Sequence, residues 1–249
     1  MSAVVSPLRA SRRRGERPEP LENGERLTAS EFMRRYEAMP HLKKAELIEG
    51  IVYMPSPVRV TAHAKPDNLI QTWLGNYAWA TPGVEAATNG TVKLDIENVP
   101  QPDALLRVGE ECGGSSRVDE KGYLVGPPEL IVEIAASSSS IDLHEKLRAY
   151  RRNGIREYLI WRTTQQAFDW FVLAEGEYRV HVTDAKGLYE SVSFGGLVLN
   201  VEALVAGHGA AVLSTLRAGL KSKVHRAFVS TLASRRMRRQ QDKKAGPKV

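Results

Sequence analysis

The sequence has very little cysteine and no long apolar run. Cys112 is the single cysteine among 249 residues, which excludes an internal disulfide framework and a zinc site built from several cysteines. No window approaches about eighteen consecutive apolar residues, so the sequence predicts no transmembrane helix. The N-terminus is rich in arginine but lacks the apolar segment of a secretory signal. We therefore expect a cytoplasmic protein that does not enter the membrane.

Positive charge is concentrated towards the two ends of the chain. The net charge is +6, yet residues 217–249 hold eleven Lys and Arg against one acid, Asp242, and residues 1–20 hold five Arg against two Glu. The residues in between are net acidic. A basic end is typical of a segment that binds a polyanion, because each phosphate contact releases a condensed counterion. It is equally typical of a solubilising tail.

The composition divides the chain into three segments. Residues 1–24 predict a disordered basic tail, residues 25–207 a folded domain, and residues 208–249 a basic amphipathic helix and tail. In the last segment apolar residues recur four apart from Leu216 to Leu232, which predicts one helix. We expect this helix to pack on the body or on a second subunit, with direct contact to nucleic acid as the alternative.

Helical and strand patterns alternate along the central segment. Helices are predicted over residues 30–39, 61–80 and 141–153, and a helix end is predicted just before Gly50. Strands are predicted over residues 51–54, 84–88, 92–96, 104–108 and 128–135, followed by a strand at 156–162 and a hairpin at 167–182. Residues 109–127 predict a polar, glycine-rich loop. This alternation is typical of an α/β fold.

Glu133 is the most informative residue of the chain. It lies in the apolar run PELIVEIA (residues 128–135), which predicts a buried strand. Removing a carboxylate from water costs several kcal/mol unless a cation or hydrogen-bond donors compensate. A second acid, Asp103, follows a proline in QPDALL and also leads into an apolar run. Two carboxylates near strand ends are hard oxygen ligands of the kind that Mg²⁺ prefers, with room for a hydrolytic water.

Lys146 and Glu46 are further candidates for this site. Lys146 follows on the helix that begins near Ile141, where Asp142 precedes it by four residues on the same face. Its ammonium group would add positive charge beside the attacking water or the phosphate. Glu46 and Glu49 precede the Gly50 turn, and each is either an additional acid of the cleft or a solvated residue at a helix end.

Other reactive side chains have simpler interpretations. The serines at residues 137–140, together with His144, fit a loop that caps a helix better than a nucleophile with its base. His63 fits a helix entry near the cleft rather than a metal ligand. The four tryptophans, Trp73, Trp79, Trp161 and Trp170, fit core or interface packing better than base stacking.

Several of these segments resemble the Uma-two family of restriction endonucleases, within the PD-(D/E)xK nuclease superfamily. The resemblance rests on AELIEGIVYMPSP, on His63 entering a helix, on QPD at residues 101–103 and on the long segment from PPELIVEIA to YLIW. It also includes the closing GLVLNVEALVA. The matching part covers roughly residues 30–207. The basic extension after residue 208 lies outside it.

The resemblance implies a restriction-endonuclease-like fold with a mixed central sheet flanked by helices. It implies Asp103 and Glu133 as the acids that bind Mg²⁺, or Mn²⁺ in its place, and Glu46 as the acid of an N-terminal helix. The superfamily lysine two residues after the second acid is Ala135 here, and Lys146 matches a lysine that has moved to the following helix. Arg162 and the serine run depart from the family pattern.

The expected function is therefore metal-dependent cleavage of DNA phosphodiester bonds, with Asp103, Glu133, Lys146 and Glu46 at the site. The alternative is a nucleic-acid-binding protein of nuclease ancestry that does not turn over. DNA is the expected partner. A homodimer is compatible with a double-strand cut by two symmetric sites.

Overall fold

The computed structural model describes residues 18–54, 59–136 and 141–245. The predicted serine loop at residues 137–140 and most of the predicted N-terminal tail therefore lie outside the described residues. The division of the chain at residues 24 and 207 remains a prediction.

The helices of the described residues are α1 (Ala29–Glu37), α2 (Lys65–Ala80), α3 (Leu147–Arg152), α4 (Val201–Val205), α5 (Gly209–Leu220) and α6 (Lys223–Ala245). Short π-helical segments lead into α2 (Val60–Ala64) and α3 (Asp142–Lys146), and a 3₁₀ turn covers Glu110–Cys112. The strands are β1 (Glu46–Ile48), β2 (Ile51–Tyr53), β3 (Val84–Thr88), β4 (Val92–Lys93), β5 (Ala104–Val108), β6 (Arg117–Val118), β7 (Leu124–Val125), β8 (Leu130–Ala135), β9 (Glu157–Arg162), β10 (Ala167–Ala174), β11 (Glu177–Val180), β12 (Leu188–Glu190) and β13 (Val198–Asn200).

A six-stranded mixed sheet forms the centre of the fold, in the order β11-β10-β9-β8-β5-β3. Strands β8 and β9 are parallel, and the other neighbours in this sheet are antiparallel. Parallel neighbours require a crossover, which the helical segment ending in α3 supplies. The predicted α/β fold, with a mixed central sheet flanked by helices, is confirmed.

The alternation of side chains along β5 and β8 creates two buried faces. Leu106, Leu130 and Val132 pack on one face with α2, α4 and α5. The odd-numbered apolar residues of these two strands, such as Leu105 and Ile131, pack on the opposite face. There they contact aromatic and aliphatic side chains of α3 and its surroundings. Asp103 and Glu133 are also odd-numbered, and β5 pairs with β8 so that Ala104 lies opposite Val132. The two acids therefore come together on the face that α3 covers.

The helix end predicted before Gly50 is wrong. Residues Glu46–Ile48 form strand β1, which pairs with β2 in a hairpin that places Ile48 opposite Ile51. The two turn residues, Glu49 and Gly50, both have positive φ (50° and 76°), as a two-residue hairpin turn requires. An Ile-Glu-Gly-Ile sequence fits such a turn as well as it fits the end of a helix, so the apolar pattern alone did not separate them.

Two smaller predictions also need correction. The strand predicted over residues 92–96 is limited to Val92–Lys93, and the loop predicted over residues 109–127 contains the short strands β6 and β7. Three of the four tryptophans are buried in the core, one of the two roles predicted for them, whereas Trp79 is 85% exposed. Two residues along a helix are separated by about 200°, so Trp79 lies on the side of α2 opposite the buried Tyr77.

The single helix predicted near the C-terminus is two helices, α5 and α6. The break falls at Lys221 and Ser222, where the Ser222 side chain accepts a hydrogen bond from the His225 backbone N–H at 3.1 Å. This is the interaction of a helix N-cap, and it marks the start of α6. Leu232 of α6 is fully buried in the core that contains α2.

Protonation of His225 is expected to weaken the docking of α6. The imidazole is buried, 3.0 Å from the Thr81 hydroxyl and edge-on to Tyr77. Burial lowers its pKa, and the nearby Arg226 charge lowers it further, against an opposing hydrogen bond to the Leu220 backbone. Below about pH 6.5 the unfolded state therefore binds more protons than the folded state. The stability that neutral His225 contributes is present above this pH and is lost as the pH falls below it.

Thermal unfolding of wild type and His225→Gln at pH 7.5 and pH 5 measures this effect. The drop in Tm between the two pH values should be smaller in the variant by about 2 °C. Equal drops in Tm in both proteins would mean that the pKa of His225 does not differ between the folded and unfolded states.

No helix of the described residues combines the length and the apolar character needed to cross a membrane.

Candidate active site

Glu133 lies in the centre of a buried cluster of charged side chains. Its Oε1 accepts hydrogen bonds from the Lys146 ammonium group at 2.9 Å and from the Tyr150 hydroxyl at 2.8 Å. Tyr150 follows Lys146 by four residues, so one face of the helical segment supplies both donors. The second oxygen, Oε2, makes no hydrogen bond to the described residues and remains available to a cation.

Lys146 connects three acids that come from different parts of the chain. Besides Glu133, its Nζ lies 3.0 Å from Glu46 Oε1 and 3.5 Å from Asp142 Oδ1. Glu46 is held in turn by the Gln101 backbone N–H, which donates to the same oxygen at 2.7 Å. The ammonium group is buried and faces carboxylates. Lys146 Nζ thus connects the β1–β2 hairpin, the central sheet and the helical crossover segment through its contacts with these acids.

Asp103 occupies the other side of the cluster. Its Oδ2 accepts a hydrogen bond from the backbone N–H of Ile134, the residue after Glu133, at 2.8 Å. The Lys44 ammonium group lies 3.1 Å from Oδ1, and His63 Nε2 lies 3.3 Å from Oδ2. The hydrogen bond from the Ile134 backbone, together with the contacts to Lys44 and His63, holds Asp103 next to Glu133.

The structure brings together the four residues predicted for the site: Asp103, Glu133, Lys146 and Glu46. Asp142 joins them, as its spacing from Lys146 allowed, and His63 lies at the cleft as predicted for a helix-entry residue. Glu46 reaches the cluster from strand β1, not from the helix that the family resemblance implied. Glu49 points elsewhere and pairs with Arg148 at 2.6 Å.

Sequence reasoning missed Lys44, Tyr150 and Gln101. Lys44 precedes Glu46 by two residues in extended chain, and residues two apart along such a chain share a face. Reading Glu46 as a strand residue would therefore have identified Lys44. Tyr150 was detectable from its i, i+4 spacing to Lys146.

Burial and charge shift the pKa values of this cluster in opposite directions. Burial raises the pKa of Glu133 to about 8, with the charges of Asp103, Asp142 and Glu46 adding to the rise against the opposing charge of Lys146. Burial also acts to lower the pKa of Lys146, but the charges of the surrounding acids outweigh it and raise that pKa well above the ordinary value. These shifts keep Lys146 charged and make Glu133 harder to ionise than an ordinary glutamate.

Asp103 behaves differently from Glu133. Burial acts to raise its pKa, but the hydrogen bond from His63 and the charges of Lys44, His63 and Lys146 outweigh burial, so the pKa falls well below its usual range. The hydrogen bond to Asp103 in turn raises the pKa of His63, against the opposing effect of burial. Asp103 consequently ionises readily at neutral pH, whereas Glu133 resists ionisation.

The donor set fits a hard divalent cation. Four carboxylates, those of Glu46, Asp103, Glu133 and Asp142, face two ammonium groups and His63, so negative charge is in excess when all are ionised. Magnesium is commonly held by one or two protein carboxylates and several waters. Within the parts of the chain that the structure describes, no group of three or more His, Cys, Asp or Glu side chains is placed to hold a metal on its own. Asp103 and Glu133, with water, would be the ligands of such a cation.

Comparison with known proteins identifies a family and a similar fold. The model of the Uma2 family, described as "Putative restriction endonuclease", matches residues 29–202. A solved structure from Anabaena variabilis ATCC 29413, described as "a putative nuclease belonging to DUF820", is similar with a TM-score of 0.56 and 16% identity, over 73% of this chain and 98% of that one. At this identity the likeness concerns the fold alone. No curated protein matches the chain.

The family match covers the hairpin, the central sheet, α3 and the whole carboxylate cluster. It ends before α5 and α6. The family predicted from the sequence is confirmed. Because the match extends over more than half of the residues, this protein belongs to the Uma2 family.

Proposed function

We propose that this protein is an endodeoxyribonuclease that hydrolyses DNA phosphodiester bonds with Mg²⁺, or with Mn²⁺ in its place. The observation that carries the proposal is the juxtaposition of Asp103 and Glu133. They lie on one face of adjacent strands, in a buried cluster where carboxylates outnumber the basic groups. A purely structural ion pair would not need this excess of negative charge.

Asp103 and Glu133 would hold the cation. Such an ion supplies Lewis acidity to a water molecule and positive charge to the phosphate oxygens. The backbone hydrogen bond from Ile134 orients Asp103, and the bonds from Lys146 and Tyr150 to one oxygen of Glu133 orient the other. Both acids are thereby positioned before substrate arrives, which lowers the reorganisation needed in the reaction.

The two lysines have different positions relative to Asp103 and Glu133. Lys146 is enclosed by three carboxylates, so we assign it the positioning of Glu133 and Glu46. Lys44 has a side chain that is 27% exposed and lies beside Asp103, which makes it the candidate to contact a phosphate oxygen. A partly exposed ammonium group can reach a substrate that a buried one cannot.

The alternative is a nucleic-acid-binding protein of nuclease ancestry that does not cut. It is favoured by one observation, that Lys44, His63 and Lys146 already contact the carboxylates expected to bind metal. In that case the cluster would be a structural ion-pair network.

Calorimetric titration of Mg²⁺ and Mn²⁺, with cleavage of supercoiled plasmid in parallel, separates the two functions. We expect wild type to bind metal and to cut, EDTA to stop cutting, and Asp103→Asn to lose both properties. Metal binding by Asp103→Asn equal to wild type would remove Asp103 from the site. Absence of both properties in wild type would support the alternative.

The form of the plasmid product tests the predicted homodimer. Two symmetric sites that act together convert supercoiled DNA directly to the linear form, whereas a single site first produces nicked circles. Sedimentation of the protein at the same concentration shows whether a dimer is present when linear product appears.

A further inference from the structure

Helix α6 holds the net positive charge of the chain. The whole sequence contains 35 Lys and Arg against 29 Asp and Glu, while α6 alone contains eight Lys and Arg against one acid, Asp242. Without α6 the chain is close to neutral. Residues 233–244, called here the basic segment, are all exposed and include six of these eight cations.

The cations of the basic segment are not neutralised within the described structure. The described residues supply no ion-pair partner for any of the six. Elsewhere arginines commonly pair with acids, as Arg162 does with Asp169 at 2.7 Å. These six cations lie within about 18 Å of helix length, so their charges repel one another. An anionic partner would relieve this repulsion.

The basic segment is nevertheless held on the body. The Arg239 guanidinium donates a hydrogen bond to the Glu110 carbonyl oxygen, and the 3₁₀ turn Glu110–Cys112 packs against α6. At its other end α6 is held by Leu232 and His225, which are buried. The helix is thus a fixed surface, so a partner that binds it meets cations already in position.

We propose that the basic segment binds the phosphate backbone of a nucleic acid. Its chemistry is that of a polyanion site: six cations in twelve residues, and Met237 as the one large exposed apolar side chain among them. An interfacial membrane helix needs a broad apolar face opposite its charges, which this segment lacks. The cations occur about once per 3 Å of helix length, which is close to the spacing of phosphates along one DNA strand, about 3.4 Å.

This surface is separate from the carboxylate cluster. Val84 pairs with Val108 at one end of β3 and β5, where α6 packs, and Asp103 lies beyond the other end of β5. Five strand residues separate the two places by roughly 17 Å. The proposal goes beyond cleavage, since DNA would be held here whether or not Asp103 and Glu133 cut it.

The test is the salt dependence of DNA binding by the full chain in EDTA, where cutting does not interfere. A 30-base-pair duplex serves as probe, with anisotropy measured between 50 and 300 mM NaCl. Arg235 and Arg239 are left unchanged because they lie against the body. The test variant carries four changes: Arg236→Gln, Arg238→Gln, Lys243→Gln and Lys244→Gln. The control removes four exposed cations from other elements: Arg117→Gln, Arg156→Gln, Lys186→Gln and Arg217→Gln.

We expect the slope of log K against log salt to fall by about 3 to 4 in the test variant, since each lost phosphate contact contributes about 0.9. Affinity at 100 mM NaCl should fall at least tenfold, and the control should change the slope by less than about 1. A second variant, Arg236→Lys with Arg238→Lys, retains the charge and should retain the slope.

Three results would overturn the proposal. Equal losses in the test and control variants would mean that only net charge matters. Failure of wild type to bind the duplex in EDTA would exclude a nucleic-acid surface. Binding to vesicles rich in anionic lipid but not to DNA would assign the segment to a membrane surface. Loss of cleavage without loss of binding, by contrast, concerns the carboxylate cluster alone.

Discussion

Replacing Glu133 by glutamine is expected to lower metal-dependent DNA cleavage by at least a thousandfold while the protein stays folded. Glutamine keeps the volume of the side chain, and its oxygen can still accept the hydrogen bonds from Lys146 and Tyr150. What it loses is the negative charge that would hold a divalent cation. Single-turnover cleavage rates with saturating Mn²⁺ measure the loss, which corresponds to about 4 kcal/mol of transition-state stabilisation.

The same substitution four residues earlier provides a matched control. Glu129 is also buried, and it lies at the opposite end of β8, where its carboxylate accepts hydrogen bonds from the backbone N–H groups of Val108 and Ser115. Glu129→Gln should reduce stability but leave the cleavage rate of the folded protein within a few fold of wild type. Equal activity losses in the two variants would show that Glu133 supports the fold rather than the reaction.

Replacing Lys146 by methionine is expected to cost about 3–5 kcal/mol of the free energy of unfolding, the usual cost of leaving buried charges without a partner. Methionine fills similar space but leaves Glu46, Glu133 and Asp142 without the ammonium group that they share. Urea denaturation at pH 7 measures the loss. Lys121→Met is the control, because this exposed lysine pairs with Glu37 at the same kind of distance, 2.8 Å, and should cost less than about 1 kcal/mol.

Removing a carboxylate should restore part of this stability. In the double variant Lys146→Met with Glu133→Gln, one of the three acids can no longer become charged, so the two losses should not add. Simple additivity would mean that the acids do not interact through Lys146. A loss below about 1 kcal/mol in the single Lys146→Met variant would mean that water already compensates these carboxylates.

The strands that hold the two metal-binding candidates were predictable because their pattern has one interpretation. The run from Leu130 to Ala135 is too apolar and too rich in β-branched residues for a surface element, and its bounds agree with the prediction to within two residues. Its neighbour β5 was predicted at its observed bounds. The pairing of Ala104 with Val132 then depends on tertiary structure, which a single sequence does not contain.

The remainder of the site depended on choices that local sequence leaves open. Glu49 adopts a positive φ that non-glycine residues seldom take, and this turn decides that Glu46 and Lys44 belong to extended chain. Near the C-terminus the four-residue apolar spacing continues across Ser222, although its side chain starts a new helix there. In both cases a single capping or turn residue overrides a longer pattern.

The order of the central sheet has a consequence for the behaviour of the protein in concentrated solution. Its two outermost strands, β3 and β11, are only five and four residues long. Their exposed side chains include Glu85, Glu177 and Arg179. Short, charged edges resist the addition of a strand from another molecule, which is a common route to aggregation. Pairing of two copies through the edges of this sheet is therefore disfavoured, and helices and loops are the more favourable surfaces for an assembly.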